Sequence, residues 1–406
     1  MLPSLSSLSL VGAPSRPSAT NALRDATNDL SDDLLGEVMG YIENGTIGHA
    51  CQVNRRMRAI CSDSAFWKAL CEREGYGAPS AGVQWMYHYA RNANPAYATR
   101  IDNDLIDAAK NGNLGLVQGL LASGADVHAR DEAALWWASN RGQAGIVQML
   151  LASGADVHTS DDAALNVASF YGRAEVVRLL LAAGANVNGP TDGALQAASK
   201  RGHEEVVRVL LASAADVHAN NDQSLQEASR NEHAGIVQML LASGADVHAN
   251  NDDALLSASF YGYVEVVRLL LAAGAYVHAR DDAALWWASS EGRAEVVQVL
   301  LAAGADVHAS DDAALLEAST KGRVGIVQML LAAGADMHAN NDQTLQEASF
   351  YGQVEVVRLL ITAGADVHAR DDLALREAIR GGHVEVVQVL LAAGASHPSP
   401  PLIPLV

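Results

Sequence analysis

The chain lacks most of the features that would mark a secreted, membrane-spanning or catalytic protein. Its three cysteines, Cys51, Cys61 and Cys71, stand ten residues apart near the N-terminus. That spacing fits neither a disulfide framework nor a zinc signature, so a reducing compartment, cytoplasmic or nuclear, is expected. Phenylalanine occurs only four times, which excludes a large aromatic core. Proline is nearly missing from the body, where Pro190 alone lies between Pro95 and Pro398; its absence permits helix throughout, because proline in a helix interior removes a hydrogen bond and clashes with the preceding turn. No uncharged apolar run reaches the roughly 18 residues that a membrane-spanning helix needs. Met1 to Thr20 has no basic start of the kind a targeting peptide carries, and residues 1–28 read as a disordered leader. No phosphate-binding loop, dinucleotide fingerprint or nucleophile elbow occurs, so neither catalytic residues nor a cofactor are expected.

Positive charge is scarce in one part of the chain only. Residues 1–100 hold 9 Lys/Arg and 9 Asp/Glu, while residues 101–406 hold 18 and 38, so the whole net charge of -20 belongs to the second part. Such a surface repels phosphate backbones and anionic lipid, which excludes nucleic acid and membrane as expected partners and leaves basic ones.

What the chain has in abundance is repetition. Glycine recurs at 124, 154, 184, 244, 274, 304, 334, 364 and 394, an interval of 30 interrupted by Ala214. Leu105 to Leu375 and Ala108 to Ala378 recur in step, which makes ten units over residues 101–397. A larger period of 90 is visible in Gly-Ile-Val-Gln-Met-Leu at 145, 235 and 325 and in Phe-Tyr-Gly at 170, 260 and 350. A block of three units was therefore duplicated.

A column that is the same in every unit is one that stacking constrains. Between Asp131 and Arg141, Leu135, Ala138 and Ser139 occupy nearly fixed columns and cluster on one face at about 100° per residue, while positions 133, 136, 137, 140 and 141 vary and cluster on the other. The first helix of each unit is thus packed on one side and open on the other. Ala144 to Leu151 is apolar nearly all round and reads as a helix held between neighbours, ended by a glycine in the left-handed conformation. The column at 131, 161, 191, 221, 251, 281, 311, 341 and 371 holds only Asp, Thr or Asn, the residues that cap helix N-termini. An acid at the next position suits the positive end of the helix dipole. The acidic rim reads as solvated caps, with a surface for a basic ligand as the alternative.

Units such as Ala305-Asp306-Val307-His308, followed by Ala314-Leu315, Gly322, Ile326-Val327 and Leu330-Leu331, resemble ankyrin repeats. The usual unit has about 33 residues and opens Thr-Pro-Leu-His, whereas this one has 30 and reads Ala-Ala-Leu-Trp or Gln-Thr-Leu-Gln. Such shortened units look like those of giant DNA viruses and some protists. The resemblance implies an all-α solenoid of ten helix-turn-helix repeats whose concave side holds another protein.

Residues 29–75 follow a different pattern. Leu34, Leu35, Val38 and Ile42 keep helical spacing, and Val53-Asn54-Arg55-Arg56 and Phe66-Trp67-Lys68-Ala69-Leu70 imply two further helices. This small three-helix module resembles an F-box, although Leu30-Ser31 stands where Leu-Pro is usual. The resemblance implies contact with a Skp1-type adaptor and its cullin through Leu30, Leu34, Leu35 and Val38, with Trp67 anchoring the module's end. A helical cap closing the stack is the other reading, since terminal units need a solvated outer face. Residues 76–100 read as a connecting helix in which Trp85, Tyr87 and Tyr89 pack the module onto the first repeat, and residues 398–406 as a disordered proline-rich tail.

Histidine at 128, 158, 218, 248, 278, 308, 338 and 368 invites a metal reading. Repeats stacked at the spacing of packed helices, about 10 Å, hold these rings too far apart to share one ion. Hydrogen bonding within the loops is expected instead, and no metal site. The open face carries Trp136, Trp137, Phe170, Tyr171, Phe260, Tyr261, Trp286, Trp287, Phe350 and Tyr351. Exposed aromatic residues anchor protein interfaces, so these are the expected contacts for a target protein; the alternative is that each ring packs on the next repeat. A substrate receptor of an SCF-type ubiquitin ligase is the function expected, and a passive scaffold that sequesters its partner is the rival.

Overall fold

The computed structural model describes Trp67, Lys68 and Cys71, then residues 85–189 and 193–396. Leu30, Leu34, Leu35 and Val38, the leader and the tail lie outside these residues. Among the described residues there are 21 helices and no strand. Trp85–Ala93 comes first and ten helix pairs follow: Pro95–Asn111 with Leu114–Ala122, Ala129–Arg141 with Ala144–Ala152, Thr159–Phe170 with Ala174–Ala182, Gly193–Arg201 with Glu204–Ala212, Ala219–Arg230 with Ala234–Ala242, Ala249–Tyr261 with Val264–Ala272, Ala279–Ser290 with Ala294–Ala302, Ala309–Thr320 with Val324–Ala332, Ala339–Phe350 with Val354–Ala363, and Ala369–Gly381 with Val384–Ala392. These are repeats one to ten.

The helices form two compact units, one ending at Ala168 but including Arg173–Asn186, the other made of Ser169–Gly172 and Val187 onward. In the first, Leu105, Leu135 and Leu165 are buried with Ala108, Ala138 and Ala168, and Val147 and Val177 close over them from the second helices. The second unit repeats this core with Leu195 through Leu375 and Val207 through Val357. Second helices differ from their expected all-round burial: Ile146, Val147 and Leu150 are buried, while Gln148 and Ala152 are exposed. Each therefore packs along one stripe and shows water the other.

The linker that joins consecutive repeats departs from the expected helix caps. Three residues in a row are left-handed in every repeat whose linker is described. Arg130, Asp131 and Glu132 have φ of 54°, 54° and 60°, and Ser310, Asp311 and Asp312 have 51°, 57° and 58°. A left-handed residue other than glycine costs roughly 1–2 kcal/mol, least for Asn and Asp. This is why the 131 column is restricted to short polar residues; Asp131 and its equivalents are exposed and cap nothing.

The carboxylate one place further on compensates for that strain. It is buried in seven of the eight repeats in which it is described. His158 Nδ1 lies 3.2 Å from Asp162 Oδ1, and the same oxygen accepts the backbone N–H of Asn186, 24 residues on, at 3.0 Å. In the second unit Asp312 bonds His308 Nδ1 at 3.2 Å and the N–H of Asp336 at 2.7 Å. His 128, 158, 218, 248, 278, 308, 338 and 368 all make the contact, at 2.5 to 3.2 Å. The loop hydrogen bonding expected of the histidines is thus observed. In repeat one the same place is filled by Asp102, which accepts the N–H of Asp126 at 2.7 Å and pairs with Arg91 of the preceding helix.

A second tie runs from the start of seven of the second helices to the first helix of the preceding repeat. His203 Nε2 bonds the Phe170 carbonyl at 3.0 Å, and Arg293 Nε donates to the Phe260 carbonyl at 3.1 Å. The side chain lies so close over Gly172, φ 71°, that a Cβ there would stand 2.6 Å from the His203 ring. Glycine is needed here for both reasons.

Repeats four and five break both patterns. Ala214 has φ 62° and Glu232 φ 65°, so the chain keeps glycine's conformation without glycine. Ala215 N–H still reaches the Leu210 carbonyl at 3.0 Å, as Ala245 N–H reaches Leu240, which shows that the backbone has not relaxed. Here Asn188 replaces histidine, and its neutral Oδ1 takes the N–H of Asp216 at 2.7 Å.

Three outcomes follow. Asp312→Ala leaves the Asp336 amide without its acceptor and should cost about 2 kcal/mol in urea unfolding, with Asp312→Asn costing about half as much; equal stability of all three proteins would remove the tie. Hydrogen exchange should be faster over residues 205–235 than over 295–325, and Ala214→Gly with Glu232→Gly should slow it, because each relieves roughly 1 kcal/mol of strain. His128 is raised above its ordinary pKa, chiefly by its hydrogen bond to Glu132, against a smaller opposing effect of burial. A raised histidine contributes stability in full below its unfolded value of about 6.5 and loses it as pH rises through the folded one. The gain in melting temperature from about pH 8 to about pH 6 should accordingly shrink in His128→Gln.

Candidate protein-binding face

In repeats two to ten, burial of the 134, 135 and 138 columns, and of the 139 column up to Ser349, leaves columns 136, 137, 140 and 141 on the other side of the first helices, where most are half-buried or exposed and Gln226, Glu227, Leu256, Ser290 and Gln346 are buried. In repeat two, Trp136 and Trp137 are half-buried and meet edge to face at 4.8 Å, with Lys110 of repeat one over the Trp137 ring at 4.5 Å. In repeat three, Phe170 meets Tyr171 at 5.0 Å and Arg201 covers the Phe170 ring at 4.2 Å. Repeat nine matches it, with Phe350 against Tyr351 at 4.9 Å and Arg380 over Phe350 at 5.1 Å. The two readings of these rings divide between the members of a pair. Phenylalanine is covered by the next repeat, and tyrosine stands clear: Tyr171, Tyr261 and Tyr351 are 46%, 41% and 52% exposed.

Repeats six and seven bring four of the expected residues together. Phe260 packs on Tyr261 at 4.9 Å and on Trp287 at 5.1 Å, and Trp286 meets Trp287 at 4.5 Å. The periodicity did not single out two tyrosines, of which Tyr263 extends this cluster and Tyr276 stands in the following loop. Tyr263 stacks on Tyr261 at 5.7 Å, and its hydroxyl pKa is pushed up by burial and by the Glu232 carboxylate. Tyr276 is exposed and edges onto His278 at 5.3 Å. Each breaks its column: Tyr263 stands where other repeats carry Arg, His, Gln or Asn, and Tyr276 where they carry Asp, Asn or Ser. Those departures were the available signal.

Other cations on this face are tied to acids, most of them in an adjacent repeat. Lys200 lies 3.5 Å from Glu227, Arg230 and Arg280 both flank Asp253 at 3.2 and 3.6 Å, and Lys321 sits between Glu291 and Glu317 at 3.6 and 3.3 Å. Clefts open between adjacent first helices, one of about 300 Å³ beside Trp286 and one of about 340 Å³ beside Phe350. Neither is lined by histidine or cysteine, and the titratable groups at both are carboxylates and arginines. Among the described residues no three His, Cys, Asp or Glu are placed to share a metal ion. Trp67, expected at the adaptor-binding module's end, is fully buried with its ring 5.7 Å from Tyr89, where it anchors the chain internally.

Among the described residues no helix is long and apolar enough to cross a membrane. No curated protein matches the chain. One similar solved structure is the crystal structure of the human ASB11 ankyrin repeat domain, with 28% sequence identity over 50% of this chain and 98% of that one and a TM-score of 0.46. The family profile for ankyrin repeats, three copies at a time, matches residues 105–191, 189–251, 225–311 and 315–399. Helix pairs tied by side chains across each boundary, an open face of variable residues, and a profile match over most of residues 105–399 agree: the chain belongs to the ankyrin-repeat family, whose stacks serve protein–protein interaction.

Proposed function

We propose that the chain is a substrate receptor of an SCF-type cullin ubiquitin ligase, acting in the cytoplasm or nucleus. The first helices of the repeats hold the target protein, and the N-terminal module engages a Skp1-type adaptor through Leu30, Leu34, Leu35 and Val38. The observation that carries the target-binding half is the arrangement of aromatic side chains on the open face, where Trp136, Trp137, Phe170, Phe260, Trp286, Trp287 and Phe350 are half-buried and Tyr171, Tyr261 and Tyr351 project clear. Large rings already held by neighbours lose little freedom on binding, which is why such residues anchor interfaces. The adaptor half rests on the sequence pattern of residues 29–75. A passive scaffold is the second reading, and the burial of Trp67 against Tyr89 favours it, because a module fastened to the stack also serves as its cap.

Leu34→Asp with Leu35→Asp should abolish co-purification of the adaptor and cullin while leaving the helical circular dichroism of the array unchanged, since a charge in an apolar interface costs several kcal/mol. Undiminished adaptor recovery by the variant would sink the receptor reading. Absence of adaptor from the wild-type complex would leave the scaffold.

A further inference from the structure

The cleft between the first helices of repeats seven and eight is small for a ligand pocket, about 300 Å³ against a range of roughly 300–1,000 Å³. It has room for a side chain rather than a cofactor. Leu285 and Trp286 line it from one helix, Ala313 and Ala314 from the next, and the carboxylates of Asp281 and Asp306 complete it. Asp281 is exposed and accepts a hydrogen bond from the Ser310 hydroxyl. Arg280 also borders the cleft, but its guanidinium is turned to repeat six, donating to the Asn250 carbonyl at 2.7 Å and lying 3.6 Å from Asp253.

The rest of the face shows what these rings attract. Lys110 sits over Trp137, Arg201 over Phe170 and Arg380 over Phe350. Among the described residues no cation of the chain covers Trp286, Trp287 or Phe260. The 90-residue period gives the reason, because Glu291 stands at the place that Arg201 holds beside Phe170. An aromatic cluster that elsewhere in the array is paired with an internal cation is here bordered by acids, in a segment with 18 Lys/Arg against 38 Asp/Glu.

We infer that this cleft seats an arginine side chain of the bound polypeptide, its guanidinium flat against Trp286 and forked onto Asp281. The inference rests on the protein-binding reading of the same face and names the chemistry it selects. Arginine suits the site better than lysine because a planar guanidinium both stacks on an indole and forms paired hydrogen bonds to one carboxylate, whereas an ammonium is a compact and strongly hydrated point charge. Its methylenes would lie along Leu285, Ala313 and Ala314.

The test uses the full chain and the peptide Gly-Ser-Gly-Arg-Gly-Ser-Gly, with lysine and citrulline versions, titrated while the indole N–H resonance of Trp286 is followed. The arginine peptide should shift that resonance, citrulline should bind at least about tenfold more weakly because the charge is lost, and lysine should fall between them. Asp281→Asn should weaken the arginine peptide by about tenfold. Ala313→Leu, which keeps the carboxylates and fills the cleft, should remove the shift without lowering the melting temperature. Equal binding of arginine and citrulline, or a response that survives both substitutions, overturns the inference; equal binding of arginine and lysine overturns the choice of arginine. Partner capture by wild type, by Asp281→Asn and by a variant with Tyr171, Tyr261 and Tyr351 changed to Ser separates the two levels. Loss in the tyrosine variant alone overturns the cleft while the binding face stands, and loss in neither overturns both.

Discussion

The array depends on a buried carboxylate. Among the described residues it stands at the end of a left-handed linker in eight of the ten repeats, where it holds the imidazole four residues before it and accepts the amide of the loop 24 residues after it. A carboxylate taken out of water needs such partners, and with them its bonds are charge-assisted and about twice as strong as neutral ones. The cost of three left-handed residues is met in this way, and the linker becomes stable only when the next repeat is present. A repeat that cannot complete its own hydrogen bonds must stack.

The same dependence accounts for a large share of the acidity, fourteen of the 38 Asp/Glu in residues 101–406. Seven buried acids of the latch column are structural. Asp156 and its equivalents, two residues before the histidine, accept that histidine's own N–H at 2.8 to 3.1 Å. Among the acids free of these two roles is the exposed column of Asp131, Asp161, Asp281, Asp311 and Asp371. Stability and recognition thus draw on different columns. Residues 136 and 141 can vary without loosening the stack, whereas 131 must suit a left-handed backbone and 132 and 135 are held by the neighbouring repeat.

Repeats four and five show what happens when the columns slip. Asn188, Ala214 and Glu232 each replace a residue that the rest of the array keeps, and the structure holds the glycine conformation at both substituted positions. Glu232 is accompanied by Tyr263, which stacks on Tyr261 where seven other repeats reach back to a carbonyl. One tie is exchanged for an aromatic contact on the binding face.

Periodicity alone determined the number of repeats, the packed columns of Leu135 and Ala138, the glycines that end the second helices and the loop role of the histidines, because each depends on chain neighbours within one helix turn or on an identical environment in every unit. It also placed the aromatic residues on the open side. Tertiary structure decided what each side chain touches 24 to 33 residues away. The Asp and Asn of the 131 column looked like caps, since the same short polar side chains suit an N-cap and a left-handed residue; only the stacked neighbour showed that the working acceptor is the next residue. Which rings are covered and which are free was likewise a matter of register between repeats, so Phe170 and Tyr171, adjacent in sequence and alike in chemistry, came to serve the stack and the surface respectively.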